Sequence, residues 1–230
     1  MRTDTDLVSR PVATGPRWRQ ESRALLAAGA AVAAVAAVLF LIALATHPAI
    51  STLKGFDLRV YLMGGALAKD DPARLYTWQQ SPGIQFTYTP FAALLFALAT
   101  GVRFRLLLDA AAAASVAAVA VTVWIAFREL GWRGTARIGA TLLVAGVALW
   151  LEPVQRALYL GQIECVLMVL VVWDLCQPDR RRWQGAATGI AAGIKLVPVL
   201  FIVYLLVTGR FRQAAVATAA FGVTVIAGFA

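Results

Sequence analysis

Charged side chains are scarce in this chain: only 14% of its 230 residues are Asp, Glu, Lys or Arg, against 60% hydrophobic. A soluble domain of this length carries charge on about a quarter of its residues. Water is therefore not the solvent for most of the chain; lipid is. Cysteine and histidine are scarcer still, at two and one. With no CxxC pair, neither a disulfide framework nor a zinc-site spacing can be drawn, and Cys165 and Cys176 read as small apolar packing residues. Acidic residues are outnumbered, 12 against 21 Lys and Arg. That imbalance could serve nucleic acid, but a basic face on a soluble fold is missing. The arginines sit instead in short clusters between apolar runs, where a cytoplasmic leaflet would hold them. Nucleic acid is excluded as a partner and membrane lipid is expected.

What is present is a series of apolar runs. Residues 1–22 are polar, with Pro11, Pro16 and several arginines, so residues 1–23 are expected to be a disordered cytoplasmic tail. Residues 24–46 carry no charge and suffice to span, since about 20 residues at 1.5 Å rise cross a hydrocarbon core of about 30 Å. Arg17, Arg19 and Arg23 before this run resemble a signal peptide, but the run is too long for one and further apolar segments follow. It is read as the first transmembrane helix, N-terminus inside, which puts residues 47–87 outside the cytoplasm.

Within that loop, Leu58, Tyr61, Leu62 and Gly65 fall at i, i+3, i+4 and i+7 with Arg59 and Lys69 off the stripe. The spacing predicts an amphipathic helix over 57–69, stopped by Pro72 and lying in the membrane interface. Further apolar runs cover 91–100, 106–127, 135–151, 163–176, 185–208 and 214–230. The 163–176 run is short for a span, and the 185–208 run carries Lys195 and Pro198 near its middle. Such a break is tolerated at membrane depth only against protein or a water-filled cavity. The basic clusters cannot all be cytoplasmic if every run crosses once. Hairpins at 91–127 and at 185–208, the latter turning at 195–198, resolve most of the conflict. They place residues 128–137, 180–182 and 210–212 inside and let Asp57, residues 152–162 and Lys195 converge outside, at the cost of leaving Arg103 and Arg105 outside too. The fold class is all-α and polytopic. The sequence stops within an apolar run at Gly228-Phe229-Ala230, which suggests the N-terminal portion of a longer membrane domain that starts at residue 24.

Several residues invite chemistry. Asp57 opens the interfacial helix, either as its N-cap or as a general base where a lipid-borne substrate presents its head group. Lys195, in Gly193-Ile194-Lys195-Leu196-Val197-Pro198, either snorkels to an interface or supplies a point charge for a phosphate. Glu152-Pro153 and Leu160-Gly161-Gln162 bracket a short polar connection. Arg156 within it can pair with Glu152 at i, i+4, or the connection can line a cavity. Glu164 and Asp109, each one turn inside a segment, are expected to face a cavity rather than lipid. Tyr88-Thr89-Pro90 opens the next run, with proline in a favourable first-turn position. Asp70-Asp71 has no neighbours to complete a metal site.

In order, Phe56-Asp57-Leu58-Arg59-Val60-Tyr61, Phe86-Thr87-Tyr88-Thr89-Pro90-Phe91, Glu152-Pro153, Leu160-Gly161-Gln162, the basic turn at 180–182 and Gly193-Ile194-Lys195-Leu196-Val197-Pro198 resemble the actinobacterial glycosyltransferase family 87, of the GT-C superfamily. The family includes polyprenyl-phosphate-mannose-dependent α-1,2-mannosyltransferases. The resemblance runs from about residue 24 onward. It implies a polyprenyl phosphate sugar donor, a glycolipid acceptor and no nucleotide cofactor; no Rossmann motif is found. Asp57 would deprotonate the acceptor hydroxyl, with inversion at the anomeric carbon. Lys195, Arg59 and Arg156 would bind the donor phosphate, with Tyr88, Glu152, Gln162 and Glu164 lining the cavity. No metal ligand is assigned, and a metal requirement stays open. Members often carry Asn two residues after Gly-Gln; this chain has Glu164. Three alternatives remain open: an arabinosyl or other sugar transferase, a transporter or flippase, and a structural subunit. The transporter reading calls for repeated halves, and no second copy of the Asp57 or Lys195 neighbourhood is found.

Overall fold

Runs of Ala, Val and Leu in lipid leave the backbone only itself to bond with, and helices follow. The computed structural model describes residues 16–46, 54–81, 84–178 and 181–229. Among these, helix α1 (Pro16–Thr46) is followed by α2 (Phe56–Asp70), a short 3-10 turn (Pro72–Arg74), and the strands β1 (Gln79–Ser81) and β2 (Ile84–Gln85). Then come α3 (Pro90–Ala97), α4 (Phe104–Glu129), α5 (Gly134–Ala148), α6 (Glu152–Leu160), α7 (Glu164–Leu175), α8 (Ala186–Ile194), α9 (Val199–Val207) and α10 (Phe211–Phe229). The all-α expectation holds, and the antiparallel β1–β2 pair is a small addition to it.

Glu21–Ala43 within α1, α4 and α10 are each long and apolar enough to cross a membrane. Their outward surfaces are apolar, with Leu41, Leu106 and Ile226 all more than 60% exposed, as a helix facing lipid requires. The chain is a multi-pass membrane protein.

Three expectations need correction. Helix α1 begins at Pro16, so residues 16–23 extend the helix instead of closing a tail; residues 1–15 lie outside the described residues. Residues 152–160, read as a short polar connection, form a helix of their own. Pro153 sits in the first turn of α6, where its missing N–H costs nothing, and α6 leaves the axis of α5 at 76°. Asp109, expected to face a cavity, is exposed on α4.

Two seams of small residues set the packing. Helices α1 and α5 approach so closely that a Cβ at Gly146 would stand 2.9 Å from the Ala33 Cα. Helix α8 lies against α10 along Gly185, Gly189 and Gly193, whose added Cβ atoms would overlap Gln213, Ala217 and Thr224. Close backbone approach through small residues is how helices associate where lipid removes the hydrophobic drive. The central core joins Val60 of α2, Phe86, Ala92 and Ala93 of α3, Leu167 and Val171 of α7, and Ala191 and Ile194 of α8. At one end of α7, Asp174 is fully buried. It accepts from the backbone N–H groups of Gly185 and Thr188, both at 3.0 Å, and from the Thr188 hydroxyl at 2.8 Å. These are the otherwise unpaired donors at the start of α8.

Candidate active site

The opposite end of α7 carries the site. Gly55, at φ 70°, precedes α2, and Gly161, at φ 73°, ends α6. Both conformations suit glycine, which lacks a Cβ. The two glycines bring the helix ends together: the Gly55 N–H donates to the Tyr159 carbonyl at 2.7 Å. Across this joint the Gln162 side-chain amide donates to the Asp57 carboxylate.

Asp57 is thus not the cap of α2. Gly55 occupies that position, no side chain caps the helix, and the Asp57 carboxylate turns to Gln162. It is partly buried. Burial holds its carboxyl above the usual carboxylate range; Gln162 opposes that shift, Glu164 adds to it and Lys195 opposes it. A carboxylate lifted in this way is a better proton acceptor near neutral pH.

The second half of the site comes from the break between α8 and α9. The chain leaves α8 at Lys195 in extended conformation and re-enters helix after Pro198, as the 195–198 turn anticipated. The Thr89 hydroxyl donates to the Gly193 carbonyl and accepts from the Ala92 N–H at 3.1 Å as the cap of α3. This fixes α8 against α3. The Lys195 ammonium pairs with the Glu164 carboxylate and donates to the Tyr88 hydroxyl at 3.3 Å. Tyr88 in turn shares a 2.7 Å hydrogen bond with the Tyr61 hydroxyl. Tyr61 is 2% exposed and stacks on Phe96 with ring centroids 4.6 Å apart. Burial raises both phenols, so they act as neutral hydroxyls.

From Lys195 and Glu164 an apolar groove of about 260 Å³ runs along α7 and α9, lined by Leu167, Met168, Val171, Val172 and Phe201 among others. Glu164 and Lys195 are its polar head.

The structure thus joins Asp57 to Gln162, and Tyr88 and Glu164 to Lys195. It leaves the other three nominated residues apart from this contact network. Arg59 is exposed and lies over the Phe104 ring at 4.6 Å. Arg156 pairs with Glu152 at 3.1 Å, the two side chains 59% and 77% exposed. Glu152 stands beside Pro153 in the first turn of α6 and is exposed, as is its partner. Tyr61 was missed as part of the site; it stands one turn after Asp57 on the predicted stripe, where a buried tyrosine needs a hydroxyl partner.

Fold and site together define a helical membrane protein with a half-buried carboxylate and a lysine at the head of an apolar groove. The chain belongs to glycosyltransferase family 87, whose sequence model matches residues 86–230. It is 36% identical over 178 residues to a polyprenol-phosphate-mannose-dependent α-(1-2)-phosphatidylinositol pentamannoside mannosyltransferase of Mycobacterium tuberculosis, covering 74% of this chain and 40% of the relative. It is also 32% identical over 193 residues to a polyprenol-phosphate-mannose-dependent α-(1-2)-phosphatidylinositol mannoside mannosyltransferase of Mycolicibacterium smegmatis, covering 76% and 43%. The chain spans about two fifths of the length of these curated relatives. No solved structure matches it. The family match includes Gln162, Glu164 and Lys195 but begins after Asp57, so the weight on Asp57 comes from its geometry.

Proposed function

We propose that the whole protein transfers a mannosyl residue from a polyprenyl phosphate carrier to a hydroxyl of a phosphatidylinositol mannoside or related envelope glycolipid. The transfer takes place on the outer face of the membrane and inverts the anomeric centre. The observation that carries this reading is a partly buried carboxylate within electrostatic reach of the lysine that heads an apolar groove. Asp57 accepts the proton of the acceptor hydroxyl as its oxygen bonds to the anomeric carbon. The bond from that carbon to the phosphate oxygen breaks, and its electron pair leaves with the polyprenyl phosphate. Negative charge moves from Asp57 to the phosphate, where the Lys195 ammonium stabilises it in a water-poor site. The groove along α7 and α9 takes the first isoprene units, and Gln162 holds Asp57 in orientation. The names of the relatives support mannose over arabinose, and the family sets aside the transporter and structural-subunit readings.

The test is a transfer assay with the full-length protein in membranes, using radiolabelled polyprenyl phosphomannose and phosphatidylinositol mannoside. Label in the glycolipid supports the reading. Label transferred only from a different lipid-linked sugar removes mannose from it, and no dependence on a lipid phosphate donor removes the mechanism.

A further inference from the structure

The ion pair between Lys195 and Glu164 has a consequence for donor binding. Glu164 is the first residue of α7, where a negative charge is favoured by the helix dipole. Its Oε1 meets the Lys195 ammonium. Its Oε2 is buried with no protein donor among the described residues. A carboxylate held by one side only is under-satisfied for a buried group. Lys195 is committed to Glu164 and to the Tyr88 hydroxyl. Both members of the pair line the apolar groove, and their side chains are 37% and 30% exposed. The resident anion therefore sits where the head group of a lipid in this groove would arrive.

We infer that Glu164 is a resident counter-ion of Lys195 which an incoming lipid phosphate displaces, so that Glu164 sets both the affinity for the phosphate lipid and the rate at which it leaves. This deepens the proposed function and rests on its assignment of the groove to a phosphate-bearing lipid. Glu164 is a positioning residue, acting through Lys195. The Glu164 carboxylate neutralises the ammonium, which also donates to the Tyr88 hydroxyl. When phosphate arrives, Lys195 exchanges one carboxylate for one phosphate, and the carboxylate moves toward water past the open side of the groove. After sugar transfer the monoester carries more negative charge than the diester donor and would be retained by a lone ammonium. The waiting carboxylate competes for the same ammonium and promotes release.

A double-mutant cycle separates this competition from simple repulsion between two anions. The full-length protein is prepared in nanodiscs as wild type, Glu164→Gln, Lys195→Met and the double variant. Each is titrated with a short-chain polyprenyl phosphate and with the corresponding uncharged polyprenol. The expected result is that Glu164→Gln binds the phosphate on the order of tenfold more tightly, with polyprenol binding unchanged as evidence of an intact groove. In steady state it should show a lower kcat limited by product release, seen as a burst of transfer in the first turnover followed by a slower steady rate. In the Lys195→Met background the same Glu164→Gln change should have no effect on phosphate binding. If it tightens binding equally in both backgrounds, Glu164 is a bystander charge and the displacement idea falls alone. It also falls alone if Glu164→Gln leaves phosphate affinity unchanged in a wild type that prefers phosphate over alcohol. A wild type with no such preference sinks the donor assignment and the counter-ion together.

Discussion

The Gln162 side-chain amide donates to the Asp57 carboxylate across a joint that the Gly55–Tyr159 backbone hydrogen bond closes. Asp57 is therefore oriented by a residue from outside its own helix. Its Oδ1 has no partner among the described residues, which leaves that oxygen for a substrate proton.

Asp57→Asn tests this directly. Asparagine keeps the shape and an acceptor oxygen for Gln162 but cannot take up a proton. A positioned base contributes about 10²–10⁴-fold in rate, so transfer by the full-length variant should fall at least a hundredfold (order of magnitude). Stability should not fall. The folded carboxyl is raised above its ordinary value, so its contribution to stability is present at low pH and lost as pH rises through the folded value. At neutral pH the charged form costs stability, and asparagine removes that cost. Activity within a few-fold of wild type would leave Asp57 a structural residue only.

The acidic limb of the pH–rate profile offers a second measurement. A base must be ionised, so kcat/KM falls as pH drops through the Asp57 value, which lies above the ordinary 3.8. Gln162→Leu removes the hydrogen bond to the ionised form and should move the limb upward. Glu164→Gln removes a like charge and should move it downward. A limb that stays in place in both variants belongs to some other group.

Sidedness can be read with single cysteines at Lys69, Arg156 and Arg181 in a chain with Cys165 and Cys176 replaced. An impermeant maleimide on intact cells should label the first two positions and spare the third. Arg156 is well exposed, so access is not limiting there. Labelling at 181 with none at 69 would turn the protein over in the membrane and move the reaction to the cytoplasmic face.

The glycine seam can be probed without touching the site. A Cβ at Gly189 would overlap the Ala217 carbonyl, whereas one at Gly222 meets nothing within 4 Å. Gly189→Ala should lower the unfolding temperature of the purified protein, with a cost of about 1–3 kcal/mol from overpacking against backbone. Gly222→Ala should be neutral or slightly stabilising, by up to about 1 kcal/mol, because alanine is the better helix former. Equal unfolding temperatures for the two variants would mean that α8 and α10 are not tightly apposed.

Much of the site could be read from the chain because the bilayer makes polar residues conspicuous. Lys195 beside Pro198 interrupts an apolar run and can persist there only with a partner, which makes the break visible before any partner is known. The Leu58–Tyr61–Gly65 stripe likewise identified α2, and Leu58, Tyr61 and Gly65 are buried. What stayed hidden depends on contacts distant in sequence. Asp174 resembles an ordinary acid near a helix end until Gly185 and Thr188 fold against it. The pairing of Tyr61 with Tyr88 has no local spacing to announce it. The Glu152–Arg156 pair, by contrast, is local, and the i, i+4 pairing that the spacing offered is the one formed.

The apposition of α8 and α10 also decides how firmly Lys195 is carried at the head of the groove. Gly185 and Gly189 meet the α10 backbone and Gly193 meets the short Thr224 side chain, which leaves little to rearrange, so the two helices behave as a single stiff plate with Lys195 at its rim. Helix α9 is attached differently. It buries Ile202 and Leu205 but exposes Leu200, Val203, Tyr204, Leu206 and Val207, and it joins α8 through the non-helical residues 195–198. Its Phe201 lines the groove. The plate holds Lys195 at its rim, and α9, with most of its side chains turned outward, is the more loosely packed border of the groove.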